Sequence, residues 1–231
     1  MDIRKQILQK FMYNKSMKYN EIRDQVPSNK FNYYLKLLLN EELIEQTKDK
    51  YNLTPKGTQH ISSLDGLKIE ENRKPIVCAF VMAYKNGKIL VNERKKQPFM
   101  GYVGSPGGKI DFGNSIPEQA AQELLEETGL VASKMELKLI TNYRTLDKKK
   151  NELTHQVIGF FYLATGIKGI LKEEDREGRN FFMTLNQIKR AKKYPDFDFH
   201  IKTILGSKKL VFKEAIRYIE DEEFTGIDFL D

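Results

Sequence analysis

The stretch GGKIDFGNSIPEQAAQELLEETGL, residues 107 to 130, concentrates acidic side chains in a chain that is otherwise basic. No Lys or Arg lies between Lys109 and Lys134, whereas acids recur through that interval at Asp111, Glu118, Glu123, Glu126 and Glu127. Like charges three or four positions apart on a helix repel by about 0.2 to 0.5 kcal/mol per pair. The pattern therefore predicts a bound cation that the sequence itself does not supply.

The same stretch carries helix start and stop signals. Ser115 followed three residues later by Glu118 forms a capping box, and Pro117 falls in the first turn, where its missing amide hydrogen costs nothing. Gly129 supplies the left-handed residue on which helices commonly end. These signals predict a helix from Ile116 to Thr128.

The predicted helix has two different faces. Helical spacing predicts a buried apolar stripe of Ala120, Ala121, Leu124 and Leu125. Glu123 precedes Glu126 and Glu127 by three and four positions, so the three carboxylates share another face. Hard divalent cations such as Mg²⁺ or Mn²⁺ prefer oxygen ligands and also bind phosphates. The face is therefore a candidate metal site, and a solvated acidic helix face is the alternative.

The segment before the helix, GSPGGKIDFG at residues 104 to 113, contains four glycines. A glycine-rich turn that leads into a helix presents amide hydrogens to phosphate oxygens, which makes Gly107 and Gly108 phosphate-binding candidates. Arg94 ends a strand just upstream, followed by Lys95 and Lys96, and these cations are further candidates; an ordinary charged surface is the alternative. Three nearby aromatic residues could stack on a base or belong to the core: Phe99, Tyr102 and Phe112.

Residues 108 to 130 resemble the signature box of the Nudix hydrolases. That box is a glycine, five residues, Glu, seven residues, and then Arg-Glu-apolar-x-Glu-Glu-x-Gly-apolar. The matching positions are Gly108, Glu123, Leu124, Glu126, Glu127, Gly129 and Leu130. Asn114 stands in place of the first Glu and Gln122 in place of the Arg, and two amides can hydrogen bond each other.

The resemblance implies an activity and a fold. Nudix enzymes hydrolyse a phosphoanhydride of a nucleoside diphosphate derivative, and Glu123, Glu126 and Glu127 would be the metal ligands and catalytic residues. The resemblance also implies an α/β/α sandwich with a mixed sheet, over residues 76–205. The general base would be a carboxylate of the box or of a later loop. The candidates in that loop are Glu173, Glu174, Asp175 and Glu177, and a solvated turn is the alternative interpretation of these acids.

The segments around the box agree with this α/β fold. Two strands flank Asn86-Gly87, which is a strong hairpin signal. Further strands are predicted at MELKLITNYRT, THQVIGFFYLA and NFFMTL, and helices at LNQIKRAKK and DFHIKTIL. Residues 206–231, which include VFKEAIRYIEDEEF, are predicted to form a helical extension with an acidic tail.

Residues 1–66 predict a separate small α+β domain of three short helices, a hairpin and a fourth helix. A polar linker at 67–75 is predicted to join this domain to the Nudix-like domain. The pattern resembles a winged helix-turn-helix domain. That resemblance implies binding to double-stranded DNA, by the third helix in the major groove and by the turn of the hairpin on phosphates. A protein or dimer contact is the alternative. The candidate DNA-binding residues are Asn29, Lys30, Asn32, Tyr33, Lys36, Lys48 and Lys50.

Composition limits the classes further. A length of 231 residues suits two domains, and the net charge of +7 favours polyanionic partners. A single cysteine, Cys78, excludes an internal disulfide, and no apolar run is long enough to span a membrane. We expect a cytoplasmic protein without a membrane partner, and a homodimer is one option.

Two functions therefore remain open. The intact acidic residues of the box favour a Mg²⁺-dependent pyrophosphohydrolase. Asn114 and Gln122 favour a transcriptional regulator that senses a nucleotide with little or no hydrolysis.

Overall fold

The structure is a computed structural model that describes residues 3–62, 74–174 and 178–230. The chain divides into two compact units, Met1–Arg73 and Lys74–Asp231. Most of the expected linker, residues 67–73, lies outside the described residues, as do Asp175 and Glu177 of the candidate loop.

The described part of the N-terminal unit, residues 3–62, contains four helices and a small antiparallel sheet. In chain order its elements are α1 (Ile3–Tyr13), β1 (Ser16–Lys18), α2 (Tyr19–Arg23), α3 (Ser28–Asn40), β2 (Ile44–Thr47), β3 (Lys50–Leu53) and α4 (Pro55–Ser62). The strands lie in the order β1-β3-β2. The expected order of three helices, a hairpin and a fourth helix is present, with β1 as an additional short strand.

Helix α3 turns one face to the core of this unit and the other to solvent. Phe31, Leu35 and Leu38 are buried, because they recur at helical spacing and pack on α1 and on the sheet. The five candidate DNA-binding residues on this helix are all exposed: Asn29, Lys30, Asn32, Tyr33 and Lys36.

The C-terminal unit is built on one mixed sheet with helices on both faces. Its elements are β4 (Ile76–Lys85), β5 (Lys88–Arg94), β6 (Val103–Gly104), β7 (Gly107–Lys109), α5 (Ile116–Thr128), β8 (Leu130–Asp147), β9 (Glu152–Gly169), β10 (Gly178–Met183), α6 (Leu185–Arg190), α7 (Phe197–Gly206), β11 (Val211–Glu220) and β12 (Glu223–Leu230).

The strands of this sheet lie in the order β10-β5-β4-β9-β8-β11-β12, with β6 paired to β5 and β7 to β4. The pairs β4–β9 and β8–β11 are parallel, and the other pairs are antiparallel. Asn86 and Gly87 both have positive φ angles, 51° and 73°, as the two-residue turn between β4 and β5 requires. The expected mixed sheet is therefore confirmed.

Two apolar layers cover the sheet. Helix α5 packs on one face, where Ala120 and Leu124 meet Ala79 and Val81. Helices α6 and α7 pack on the opposite face, where Ile188 and Phe197 belong to a second cluster with Met82, Val91 and Leu139. The box helix is thus held against the centre of the sheet.

The prediction of a C-terminal helical extension at residues 206–231 is wrong. Residues 211–230 form a β-hairpin, and β11 pairs in parallel with β8 over nine residues from Val211 to Ile219. The last strands therefore extend the sheet. The physical reason is the free edge of β8, whose backbone groups need partners that a helix cannot supply.

Candidate active site

Helix α5 begins and ends where the sequence predicts, because its caps are formed. The backbone N–H of Ser115 donates to the carboxylate of Glu118 at 3.2 Å. Gly129 adopts a φ of 70°, and its N–H donates to the carbonyl of Leu125 at 2.8 Å. Both ends are satisfied by local contacts, so the helix forms a stable base for the acidic residues.

The buried face of α5 is partly different from the expected stripe. Ala120 and Leu124 are buried as predicted, but Ala121 is exposed and Leu125 is 50% exposed. Gln119 and Thr128 are buried in their place. Apolar spacing could not reveal this shift, because it counts a buried glutamine as a surface residue.

Glu123 lies directly over the glycine loop. A Cβ added to Gly108 would meet the Glu123 carboxylate at 2.5 Å, so any larger residue there would displace this carboxylate. Gln119 Nε2 donates to Glu123 Oε1 at 2.9 Å. This carboxylate is therefore held between the loop backbone and a buried amide.

Glu127 ties the helix to the same loop. Its Oε2 accepts a hydrogen bond from the backbone N–H of Gly107 at 2.9 Å. Gly107 has a φ of 149°, and a Cβ there would lie 2.2 Å from the carbonyl oxygen of Ala79. The two phosphate-binding candidates of the sequence, Gly107 and Gly108, are thus the residues against which Glu127 and Glu123 are placed.

The expected pair of amides forms only a long contact. Asn114 Nδ2 lies 3.5 Å from Gln122 Oε1, but 2.9 Å from Gln119 Oε1. Gln122 Nε2 instead donates to Glu126 Oε1 at 2.7 Å. Gln119, which the sequence did not single out, is therefore the centre of the amide network, since it bonds both Asn114 and Glu123.

The structure places the later acidic loop beside the end of α5. Asn180 is buried, and its Nδ2 donates to the carbonyls of Glu127 at 2.8 Å and Lys172 at 3.0 Å. Glu173 and Glu174 line an adjacent pocket of about 460 Å³, and Glu174 pairs with Lys95. No local sequence signal marks Asn180, because its contacts depend on strand pairing.

The basic and aromatic candidates lie in different surroundings and do not form one group. Arg94 Nε donates to the carbonyl of Pro98 at 2.6 Å, so its guanidinium holds its own loop. Tyr102 is buried, whereas Phe112 is 97% exposed at the tip of the glycine loop. Phe99 stacks on Phe224 with ring centroids 4.5 Å apart.

The donor set of the box fits a hard divalent cation in its chemistry. Glu123, Glu126 and Glu127 supply only oxygen ligands, and the cradle at Gly108 admits a carboxylate. Within residues 3–62, 74–174 and 178–230, no three His, Cys, Asp or Glu side chains are grouped closely enough to hold a metal ion. Each carboxylate accepts a hydrogen bond, two of them from glutamine amides, and a cation would compete with those amides.

The N-terminal candidates are all exposed, five of them on α3 and two beside the turn of the hairpin. Asn32 Oδ1 accepts a hydrogen bond from Tyr19 OH at 2.6 Å. Lys48 and Lys50 are exposed beside the turn between β2 and β3. Lys30 and Lys36 are exposed on α3.

Comparison with known proteins identifies the C-terminal unit. The model of the NUDIX domain matches residues 72–203, which is more than half of the 231 residues. The chain belongs to the Nudix family. Its C-terminal unit is a Nudix hydrolase domain, and the Nudix part of the sequence-based identification is confirmed.

One curated relative supports the class. The Methanocaldococcus jannaschii protein named ADP-ribose pyrophosphatase is 30% identical over 114 residues, which are 49% of this chain and 64% of the relative. The chain therefore spans less than two thirds of that relative.

Solved structures support the fold. A MutT protein from Bacillus halodurans matches with a TM-score of 0.56 and 21% identity, covering 67% of this chain and 97% of that one. A MutT NUDIX hydrolase from Burkholderia pseudomallei matches with a TM-score of 0.50 and 20% identity, covering 57% of this chain and 99% of that one.

In the described parts of the chain, no helix combines the length and the apolar character needed to cross a membrane.

Proposed function

We propose that the Nudix domain hydrolyses the phosphoanhydride of a nucleoside diphosphate derivative in the presence of Mg²⁺ or Mn²⁺, and that ADP-ribose is the first substrate to test. The observation that carries this proposal is the placement of Glu123 and Glu127 against the backbone of Gly108 and Gly107. Acidic side chains and loop amides then face the same place. The name of the archaeal relative supports ADP-ribose as the starting point.

Glu123, Glu126 and Glu127 would hold the cation. When bound, it would supply neutralisation of phosphate charge and a water of lowered pKa. Gln119 would orient Glu123. The N–H of Gly107, a phosphate-binding candidate of the sequence, already donates to Glu127, so phosphate would have to displace that carboxylate to reach it. A carboxylate of the box or of the loop at Glu173 and Glu174 would accept the proton of the attacking water.

Replacement of Glu126 by Gln tests the proposal. We expect Mg²⁺-dependent hydrolysis of ADP-ribose to fall by at least about a hundredfold, because a ligand of the cation is lost while the exposed position tolerates an amide. Glu118→Gln is the matched control, since it changes an acid of the same helix and glutamine preserves the capping box. Equal turnover by the Glu126 variant and the control would contradict the mechanism.

A second candidate is a nucleotide sensor with little hydrolysis. It is favoured by the amides of Gln119 and Gln122, which occupy oxygens of Glu123 and Glu126. If these amides limit the rate, Asn114→Glu together with Gln122→Arg should increase turnover of ADP-ribose. No increase would show that the departures from the box do not limit hydrolysis.

We propose that the N-terminal unit is a winged helix-turn-helix domain that binds double-stranded DNA. The element order and the exposure of the outer face of α3 support this proposal. Replacing Lys30 by Ala should weaken duplex binding and reduce the salt dependence by about one unit of slope, because one phosphate contact is lost. Lys56→Ala, in α4, is the control. A full-length chain that does not bind duplex DNA at low salt would refute the proposal.

A homodimer and a cytoplasmic location stay predictions. Sedimentation of the full chain with and without duplex DNA measures the first. Burial raises the pKa of the Cys78 thiol to about 11, so this thiol remains protonated at neutral pH.

A further inference from the structure

The outer face of α3 suits a polyanion along its length. The helix, Ser28–Asn40, contains Lys30 and Lys36 and no acidic residue. Asn29, Asn32 and Lys36 follow one another at spacings of three and four, so they share one exposed face. DNA phosphates attracted by the lysines would therefore bring base edges close to Asn32, in the middle of that face.

Asn32 is bonded to a side chain of another helix. Tyr19, the first residue of α2, donates its hydroxyl to Asn32 Oδ1 at 2.6 Å. The amide of Asn29 is held differently, because its Oδ1 accepts the backbone N–H of the adjacent Lys30 at 2.8 Å. The orientation of the Asn32 amide is thus set from outside its own helix.

The ring of Tyr19 is itself held by the core of the N-terminal unit. It lies edge-on to Phe31, with ring centroids 5.1 Å apart and an angle of 87° between the planes. Phe31 is fully buried, and Tyr19 is partly buried against the same apolar cluster. A rotation of the tyrosine ring would disturb this packing, so the hydroxyl has a fixed position at the surface.

The length of the hydrogen bond indicates which end of the amide faces Tyr19. Bonds of the O–H···O type have lengths near about 2.8 Å, and N–H···O bonds are longer, near about 3.0 Å. The 2.6 Å between the hydroxyl and Asn32 fits an oxygen acceptor, so Nδ2 points away from Tyr19. Within residues 3–62, 74–174 and 178–230, no acceptor is bonded to this Nδ2.

A connection between α2 and α3 does not by itself explain this pair. Asparagine lowers helix stability relative to alanine, and an exposed hydrogen bond adds only a similar amount, so the pair contributes little to folding. What the pair does provide is an amide of defined orientation, with its two donor hydrogens presented beside lysines on an exposed helix face.

The chemistry of the major groove identifies what such a donor can bond. Every purine presents N7 there as an acceptor, whereas cytosine presents only the N4 donor. Thymine O4 is an acceptor as well, but the adjacent methyl group favours an apolar contact. An Asn32 amide whose nitrogen faces outward therefore matches the edge of a purine.

We propose that Asn32 bonds a purine N7 in the major groove of double-stranded DNA, and that Tyr19 is the positioning residue that holds the amide in this orientation. The inference rests on the proposed DNA binding of the N-terminal unit. It adds a base preference to that function and names the two residues that produce it.

Selection of bound duplexes from a random-sequence pool by the full chain tests the base preference. We expect the wild type to prefer a purine at one position, and Asn32→Ala to reduce that preference by at least about fivefold. A duplex with the 7-deaza analogue of this purine, which lacks only N7, should bind the wild type with the same loss. The analogue should not alter binding by Asn32→Ala, because the contact is already absent.

Two further variants separate positioning from packing. Tyr19→Phe keeps the ring against Phe31 and removes the hydroxyl, so the base preference should fall by at least about twofold while affinity for the unselected pool is retained. Asn32→Asp still accepts from Tyr19 but has no donor, so its preference should move toward cytosine. Tyr13→Phe, at an exposed tyrosine of α1, is the matched control and should select as the wild type does.

Thermal unfolding of each variant establishes that it is folded, and Asn32→Asp provides a second measurement if Asn32→Ala is not. A wild type that binds no duplex would refute the DNA-binding function and this inference with it. Duplex binding whose base preference is unchanged by the Asn32 variants or by the 7-deaza analogue would retain the function and overturn the inference. Equal weakening of all sequences by Tyr19→Phe would assign its hydroxyl to helix packing and overturn the positioning role.

Discussion

The box helix α5 and the C-terminal hairpin β11–β12 are attached to the same sheet by different interactions. Helix α5 buries Ala120 and Leu124 against the sheet, and Glu127 accepts a hydrogen bond from the glycine loop. The hairpin is attached through the nine-residue pairing of β11 with β8 and through a buried ion pair, where Arg217 of β11 meets Asp196 at the start of α7. The helix therefore depends mainly on apolar contact, whereas the hairpin depends on strand pairing together with a buried charge.

The charged cluster under the hairpin is fully enclosed. Asp196 is 0% exposed, and its Oδ2 lies 2.6 Å from Arg217 Nη2 and 2.8 Å from His200 Nε2. Burial by itself would raise the pKa of Asp196, but the adjacent Arg217 and His200 hold that pKa below its usual range. The carboxylate therefore remains ionised, and Arg217 also packs over the ring of Tyr143 at 4.6 Å.

A second contact clamps the turn of the hairpin to the loop before the box. Tyr102 OH donates to Glu223 Oε2 at 2.6 Å and accepts from the backbone N–H of Phe224 at 3.1 Å. Lys192 pairs with the same Glu223 at 2.6 Å. Because the Tyr102 loop leads into the glycines of the box, the hairpin also supports the site from outside the segment that matches the family.

The largest effect is expected from Asp196→Asn. It should lower the free energy of unfolding by about 3 to 5 kcal/mol, because Arg217 is left buried without a countercharge. Asp198→Asn, an exposed acid of the same helix, should change stability by less than about 1 kcal/mol. Urea unfolding of both variants measures the difference. Similar values for the two would show that the hairpin does not depend on the buried charge.

The pH dependence of stability tests the same buried carboxylate. The pKa of Asp196 is lower in the folded chain than in the unfolded chain, so its contribution is complete above the unfolded value of about 4 and is lost as the pH falls below it. Urea unfolding at pH 7 and pH 3 should show a smaller acid-induced loss in Asp196→Asn than in the wild type. Parallel losses would assign the acid sensitivity to other groups.

For the box, the largest expected effect comes from Gly107→Ala. Its φ of 149° costs an alanine about 1 to 3 kcal/mol in backbone strain, and the Cβ would meet the carbonyl of Ala79 at 2.2 Å. Gly113→Ala, in the same loop, has a positive φ but nothing within 4 Å, so it should cost less. The free energies of unfolding of the two variants separate the two contributions, because both variants carry backbone strain and only Gly107→Ala adds a steric contact. A cost at Gly113 that matches the one at Gly107 would contradict the close approach.

The smallest effect is expected from Tyr102→Phe. Loss of the hydroxyl should destabilise the chain by about 0.5 to 1.5 kcal/mol, since two hydrogen bonds to the hairpin turn are removed. Tyr218→Phe is the control, because its hydroxyl bonds only the exposed Asp228. Thermal unfolding compares them. No difference would show that the clamp does not contribute to attachment of the hairpin.

The box was predictable from sequence because its signals are local. The capping box of Ser115 and Glu118, and the left-handed Gly129, act within one or two turns of the helix, so they appear in the sequence as they do in the fold. Gln119 was missed because its role in bonding Glu123 depends on its burial, and that burial arises only when α5 packs on the sheet.

The hairpin was not predictable because its pattern is ambiguous. Ala215 and Ile219 are the buried residues of β11, and residues four apart share a face both in a helix and in a strand. The turn gives no help, since Asp221 and Glu222 take positive φ angles of 49° and 65° without the Asn-Gly pair that usually marks such a turn. The free edge of β8 decided the outcome.

The sequence by itself determined the box helix, its glycine loop, the hairpin at Asn86-Gly87 and the order of elements in the N-terminal unit, because short-range backbone geometry and apolar spacing specify them. Only the tertiary structure decided that residues 211–230 extend the sheet and that Asp196 and Arg217 are buried together. Those outcomes depend on strands distant in the chain becoming neighbours, and pairing of that kind is not written in any local stretch of residues.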